Sequence, residues 1–270
     1  MTLFQFVSAE WVEKHLDAPD VLLLDPRSPV RYMAGHPKNA VNVPVAKARD
    51  AEGKLLPAEE LGRWLGAAGL DERRTPVIYD NADGRNAAFL AWILLYLGRP
   101  DVHVMETLWE QWVGEGRETF YRPVRPKPSE FFARPREEFR AKLEDVPAPG
   151  AKLLDLRAAE EFSGELDTDG RPGHIPGAVH LSWRELASNG QMLAAKEKLE
   201  QVFASRGISP EDHVIAYCRT GVRAALGFLA LAQLGRKVAL YDGSYTEWAK
   251  SGLPVECTVS KDEKGEATHV

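Results

Sequence analysis

Cysteine is nearly absent from this chain: two in 270 residues, Cys218 and Cys257. They make no C-x-x-C pair, and no Cys/His group has metal-ligand spacing, so no disulfide framework, metal site or other cofactor is expected. Such sparing use of thiols fits a reducing compartment, the cytoplasm being the simplest. Long apolar runs are missing too. The longest, Ala87 to Leu97, is about half of the roughly 20 residues a membrane helix needs. Glu10 and Glu13 stand where a signal peptide would have a basic flank and an apolar core. Basic charge is not in excess either. The net charge of −6 gives electrostatics no reason to bring a nucleic-acid partner. With 44% hydrophobic and 27% charged residues the chain reads as globular. Its length suits one large or two ordinary domains.

What is present is a sequence written twice, at a spacing too long for a solenoid and right for a duplicated domain. Val21-Leu22-Leu23-Leu24-Asp25-Pro26-Arg27 matches Lys152-Leu153-Leu154-Asp155-Leu156-Arg157. Gly35-His36-Pro37-Lys38-Asn39-Ala40-Val41 matches Gly173-His174-Ile175-Pro176-Gly177-Ala178-Val179. Pro76-Val77-Ile78-Tyr79-Asp80 matches His213-Val214-Ile215-Ala216-Tyr217-Cys218. Trp112 and Trp248 also correspond.

Each copy reads as short Val/Ile/Leu strands alternating with helices. The strands fall near 21–25, 76–79 and 102–104, and near 152–156, 213–217 and 238–241, with short edge candidates at 41–45 and 178–182. That alternation indicates an α/β fold: two domains, each a mostly parallel central sheet with helices on both faces. Amphipathic stretches 56–68 and 193–206 end at Gly69 and Gly207, left-handed stops. The expected divisions are a first domain over 1–122, a proline-rich tether over 123–135, a second domain over 136–260 and a polar, frayed tail over 261–270.

The second copy carries the chemistry. Val214 to Tyr217 reads as a buried strand and Ala224 to Gly235 as a helix apolar nearly all round. Between them lies Cys218-Arg219-Thr220-Gly221-Val222-Arg223. Backbone N–H groups of Thr220, Gly221 and Val222 converge at a helix N-terminus, where the helix dipole adds positive potential. Arg219 and Arg223 add charge, and Gly221 allows close backbone approach. Such a nest suits an anion, and it suits Cys218 as a thiolate. An ordinary thiol is only about 3% ionised at neutral pH, and lowering its pKa by about two units makes it mostly thiolate.

The doubled layout, Gly-His-Ile-Pro-Gly-Ala at 173–178, the loop 218–223 and Asp242-Gly243-Ser244-Tyr245-Thr246-Glu247-Trp248 together resemble the tandem-domain rhodaneses, the thiosulfate and 3-mercaptopyruvate sulfurtransferases. The resemblance covers essentially the whole chain. It implies that the second domain is catalytic and the first silent, since Asp80 stands where Cys218 stands. It implies ping-pong transfer: Cys218 takes the outer sulfur of thiosulfate as a persulfide, and cyanide or a thiol removes it. A thioredoxin-like protein is a further acceptor it suggests. It makes Cys218 the catalytic residue, Arg219, Arg223 and Arg171 substrate-binding, and the 220–222 backbone the persulfide cradle; Arg171 reads equally as a solvated loop charge. Arg223 stands where the family often has a smaller hydroxyl residue and either faces the donor or pairs with a carboxylate on a neighbouring strand end. Arg219 follows the cysteine as in thiosulfate users. Glu161 stands where mercaptopyruvate users tend to have an arginine. Both departures point to thiosulfate.

Recurring residues read differently. Asp25 and Asp155, like His36 and His174, appear in both copies, which assigns them to the fold rather than to catalysis. Trp112 and Trp248 read as packing anchors. Ser244 and Tyr245 follow a strand end on the same side as Cys218. Cys257 has no counterpart and no basic neighbours. Two rival functions remain at this point. A phosphatase of the same fold uses a C-x5-R loop, whereas this one is C-x4-R. A non-enzymatic binding module would not need an intact Cys218 loop.

Overall fold

The computed structural model describes residues 3–188, 190–261 and 267–269. The chain separates into two compact units, Met1–Glu137 with Ala187–Ala194, and Glu138–Leu186 with Ala195–Val270.

The first unit runs β1 (Phe4–Val7), α1 (Ala9–Lys14), β2 (Val21–Asp25), α2 (Pro29–Met33), β3 (Val41–Asn42), α3 (Ala58–Ala67), β4 (Thr75–Ile78), α4 (Arg85–Tyr96), β5 (Val102–Met105) and α5 (Trp109–Gly114). Its five-stranded sheet has the order β1-β5-β4-β2-β3, with every pairing parallel. The second unit repeats this with β6 (Arg140–Ala141), β7 (Ala151–Asp155), α6 (Ala159–Ser163), β8 (Val179–His180), α7 (Lys196–Ser205), β9 (His213–Tyr217), α8 (Ala224–Gln233), β10 (Val238–Tyr241) and α9 (Ser244–Ser251). Its order is β6-β10-β9-β7-β8, again all parallel.

Parallel strands covered on both faces carry continuous apolar runs rather than alternation, as in the buried Leu22-Leu23-Leu24. Helices α4 and α8 are apolar all round because they are enclosed: Ala87 to Tyr96 and Ala224 to Ala232 are all buried. Helix α3 lies inside the expected 56–68 and α7 inside 193–206, and Gly69 and Gly207 stand just beyond them at φ 96° and 67°.

Two strands have no sequence signal. β1 opens the chain and β6 is two residues long, and each closes one edge of its sheet. The stretch 123–135 is not a free tether. Ser129 N–H donates to Gly66 O at 2.8 Å and Arg134 N–H to Leu97 O at 2.9 Å, which ties the segment to α3 and the end of α4. Residues 187–194 also belong to the first unit, with Met192 N–H on Glu106 O at 2.9 Å and Gly190 O accepting from Leu108 N–H at 3.2 Å. Within the expected tail 261–270, residues 262–266 and 270 lie outside the described residues; the backbones of β11 (Val259–Lys261) and β12 (Ala267–His269) pair antiparallel.

The duplicated Asp and Arg form a fully buried pair in each unit. Asp25 and Arg27 meet at 2.5 Å, Asp155 and Arg157 at 2.7 Å. Each arginine also donates 2.8 Å bonds to the glycine carbonyl before the duplicated histidine, Gly35 O and Gly173 O. The motif thus locks a strand end to the Gly-His turn. The histidines brace that turn: His36 Nδ1 lies 2.9 Å from Pro37 O, and His174 stacks on Phe162 with ring centres 3.7 Å apart.

Candidate active site

Cys218 is the first residue beyond β9, and Arg223 is the last before α8. The strand end is fixed by the start of α9. Tyr245 N–H donates to Cys218 O at 2.9 Å and Thr246 N–H to Arg219 O at 3.0 Å. Ser244 Oγ accepts from Cys218 N–H at 3.2 Å and donates to Tyr241 O at 2.7 Å. Gly221, at φ 86°, turns the loop so that its N–H points at Cys218 Sγ, 3.1 Å away. Only glycine adopts that conformation without strain.

Cys218 is 1% exposed, yet its surroundings are polar. Arg223 lies close enough to Cys218 for the sulfur to be one of the groups that raise the pKa of its guanidinium. Burial works against that charge, but pairing with Glu161 and Cys218 outweighs it and raises the Arg223 pKa. The Glu161 contact is bidentate, at 2.5 and 2.8 Å, between side chains only 17% and 7% exposed. Burial likewise opposes the Glu161 carboxylate, while Arg223 and the Ala158 N–H pull its pKa below the usual value. Of the two expected orientations of Arg223, the structure shows pairing, but with a carboxylate on helix α6 rather than at a strand end.

Arg219 lies on the rim, 46% exposed, with Nε 3.2 Å from Asp169 and Nη2 donating to Thr168 O at 2.8 Å. Asp169 also accepts from Thr246 Oγ1 at 2.9 Å, so loop 167–171 is pinned to both the cysteine loop and α9. Arg171 belongs to that loop; its carbonyl accepts from Tyr245 Oη at 2.7 Å. Its Nη1 is buried and has no hydrogen-bond partner among the described residues. Thr220 is exposed and Val222 half-buried. Cys257 is exposed, its Sγ donating to Ser163 O at 3.1 Å. The structure therefore brings Cys218, Gly221 and Arg223 together with Ser244 and Glu161, with Arg219 outside that cluster. Sequence reasoning missed Asp169, which carries no local motif and meets its partners 50 and 77 residues away.

The first unit has the same frame around a different group. Trp109 N–H donates to Asp80 O at 2.9 Å, as Tyr245 N–H does to Cys218 O. The Asp80 carboxylate then takes the donors for itself: Asn81 N–H at 2.8 Å, Asn86 N–H at 2.8 Å and Ala87 N–H at 3.0 Å. Burial pushes its pKa up to about 7 against the pull of those donors.

The Rhodanese-like domain matches this chain twice, over residues 8–115 and 135–251. The chain belongs to the rhodanese family. A "Putative thiosulfate sulfurtransferase" of Haloferax volcanii is 33% identical, over 93% of this chain and 95% of its own. The 3-mercaptopyruvate sulfurtransferase of Escherichia coli K12 is 31% identical, over 95% and 99%. Among solved structures, EanB with a cysteine persulfide and ergothioneine superposes with a TM-score of 0.84 at 25% identity, covering 94% of this chain and 70% of that one. This rhodanese is thus a sulfurtransferase of two rhodanese domains, each built on a five-stranded parallel sheet. Among the described residues no helix is long and apolar enough to cross a membrane.

Proposed function

We propose that this rhodanese moves a sulfane sulfur from thiosulfate to a thiophilic acceptor, cyanide or a thiol, through a persulfide on Cys218. The observation that carries the reading is the Gly221 N–H aimed at Cys218 Sγ from a loop that also brings Arg223 near the sulfur. In the first step the Cys218 thiolate attacks the outer sulfur of thiosulfate. The S–S bond of the donor breaks, its electron pair leaves with sulfite, and Cys218 becomes a persulfide anion. Loop N–H groups stabilise the terminal charge. In the second step cyanide attacks that terminal sulfur, thiocyanate leaves and the thiolate returns. A thioredoxin-like thiol serves as acceptor in the same way. No general base is needed once the thiolate exists, in keeping with histidines that only brace turns.

Arg219, exposed at the rim beside Asp169, and Arg171, whose buried Nη1 has no hydrogen-bond partner among the described residues, hold the sulfonate end of the donor. The E. coli relative's name makes mercaptopyruvate the competing donor. Mass spectrometry after incubation with each donor decides between them. Thiosulfate is expected to add the mass of one sulfur to the Cys218 peptide faster than mercaptopyruvate does. The reverse order would transfer the assignment to mercaptopyruvate, and no added sulfur from either would end it. Arg219→Gln is expected to lower kcat/KM for thiosulfate by about 1–3 kcal/mol of transition-state free energy.

A further inference from the structure

Arg223 is shared by two negative groups. Both Glu161 oxygens meet its guanidinium, and Arg223 closes the loop that Cys218 opens, near enough for the sulfur to bear on its charge. Glu161 is therefore one side chain removed from the sulfur, and at 7% exposure it is poorly screened by water and salt. Its position on α6 does not need an acid: the Ala158 N–H that donates to Glu161, at 3.1 Å, would donate as well to the side-chain carbonyl of a glutamine in its place. Arg219 lies outside this pair, with Asp169.

We infer that Glu161 sets the charge an incoming molecule meets at Cys218, offsetting Arg223 and weighting the site against dianions relative to monoanions and neutral reagents. For its consequence, the selection among sulfur donors, this rests on the sulfur-transfer reading; its physical content does not. Such a role reverses the expectation that Glu161 favours thiosulfate: that dianion would be bound in spite of Glu161, not because of it. A carboxylate that only braced α6 against the loop would affect all reagents alike. A charge selector affects them in proportion to their own charge.

Two alkylating agents of nearly the same shape isolate that difference, iodoacetamide being neutral and iodoacetate an anion. Their rates at Cys218 are measured on the full chain carrying Cys257→Ser, at one pH and one salt concentration. Glu161→Gln is expected to raise the iodoacetate-to-iodoacetamide ratio about three- to tenfold, the effect of one dry charge a few ångströms away. Glu161→Asp leaves the ratio within about twofold, because the charge is retained. Arg223→Gln, which leaves Glu161 uncompensated, lowers it by at least about threefold, and the double change returns it toward the starting value. The KM for thiosulfate falls in Glu161→Gln by a larger factor than that for mercaptopyruvate. A ratio unmoved by both single changes would overturn the inference. So would a Cys218 that refuses both reagents, since a sulfur no small molecule reaches has nothing to select. If the ratio moves as expected while no variant transfers sulfur, the charge role stands and the sulfur-transfer reading falls.

Discussion

At the end of β9 the chain places a thiol, and beyond the end of β4 a carboxylate, in surroundings that otherwise correspond. Both carbonyls accept from the N–H of the residue that opens or follows the start of the last helix, Tyr245 and Trp109. Both loops lead into a helix that is apolar all round. In the second unit the loop N–H of Gly221 meets the sulfur of Cys218. In the first, three N–H groups are already satisfied by Asp80. The side chain of Asp80 thus occupies the donors of its own loop. The two loops differ at five of their six positions, Asp80 to Gly84 against Cys218 to Val222, while the strand-end Asp–Arg pairs of both domains are unchanged.

The largest effects test that separation directly. Cys218→Ser is expected to abolish persulfide formation and thiosulfate:cyanide turnover while the protein stays folded, judged by circular dichroism. Asp80→Ala is expected to leave turnover near its original level. Residual turnover in the first variant, or its loss from a folded second one, would erase the contrast between the copies.

The next effect concerns what the copies share. Asp25→Asn and Asp155→Asn each strand a buried guanidinium, a loss of about 3–5 kcal/mol. Denaturant unfolding, fitted for each unit because two units need not melt together, measures it. Comparable losses in the two units support a purely architectural role. A loss of activity without a loss of stability in Asp155→Asn would instead place that residue in the chemistry.

The sequence made the shared parts of this comparison readable and hid the parts that differ. The strands at 21–25, 213–217 and 238–241 coincide with β2, β9 and β10, because a strand buried on both faces must be a continuous apolar run. β1 and β6 were not legible, since an edge strand is held by its neighbour's backbone, β5 or β10, and needs no pattern of its own. The loop 218–223 was legible because its chemistry is local. The partners of its arginines were not. Glu161 stands 62 residues from Arg223 and Asp169 stands 50 from Arg219. Only the fold brings such pairs together, and either arginine alone reads as a free substrate ligand. The proline-rich stretch 123–135 was legible as non-helical, but its docking was not, for a related reason. Proline excludes helix, but an extended strand of chain can still dock, and the glycines that receive it lie far upstream on α3.

Asp80 sharpens the comparison through pH. Its carboxyl is raised by burial to about 7 in the folded chain, against an ordinary value of 3.8 when unfolded. Between those values the folded state holds a proton that the unfolded state has released. The stability this confers is complete below about pH 4 and is lost as the pH rises through about 7. Asp80→Asn cannot titrate, so the stability of the first unit should no longer fall across that window. Unfolding measured from pH 4 to 8 on both proteins checks the slope. An identical slope would mean that the donors around Asp80 keep it charged throughout, and that the copy-one nest holds a true anion.

The smallest effect separates the copies on a face remote from either loop. On α3, a methyl group added at Gly66 would lie 2.6 Å from Ser129 O, and one at Gly62 would lie 2.9 Å from Phe131 O. Neither glycine is there for its φ; both admit the backbone of the docked 129–134 segment. On α7 the register set by Leu61 and Leu199 puts Ala204 opposite Gly66 and Glu200 opposite Gly62, so the second copy is not shaped to receive such a segment. Gly66→Ala should therefore cost about 1–3 kcal/mol by overpacking, more than offsetting the roughly 1 kcal/mol that alanine gains in helix propensity. The reverse change, Ala204→Gly, meets no docked chain and should lose only that propensity. Faster proteolysis within 123–135 in Gly66→Ala, with the second unit's unfolding unmoved, would show that the segment is held by α3. An unchanged cleavage rate would show that its hydrogen bonds to the end of α4 suffice.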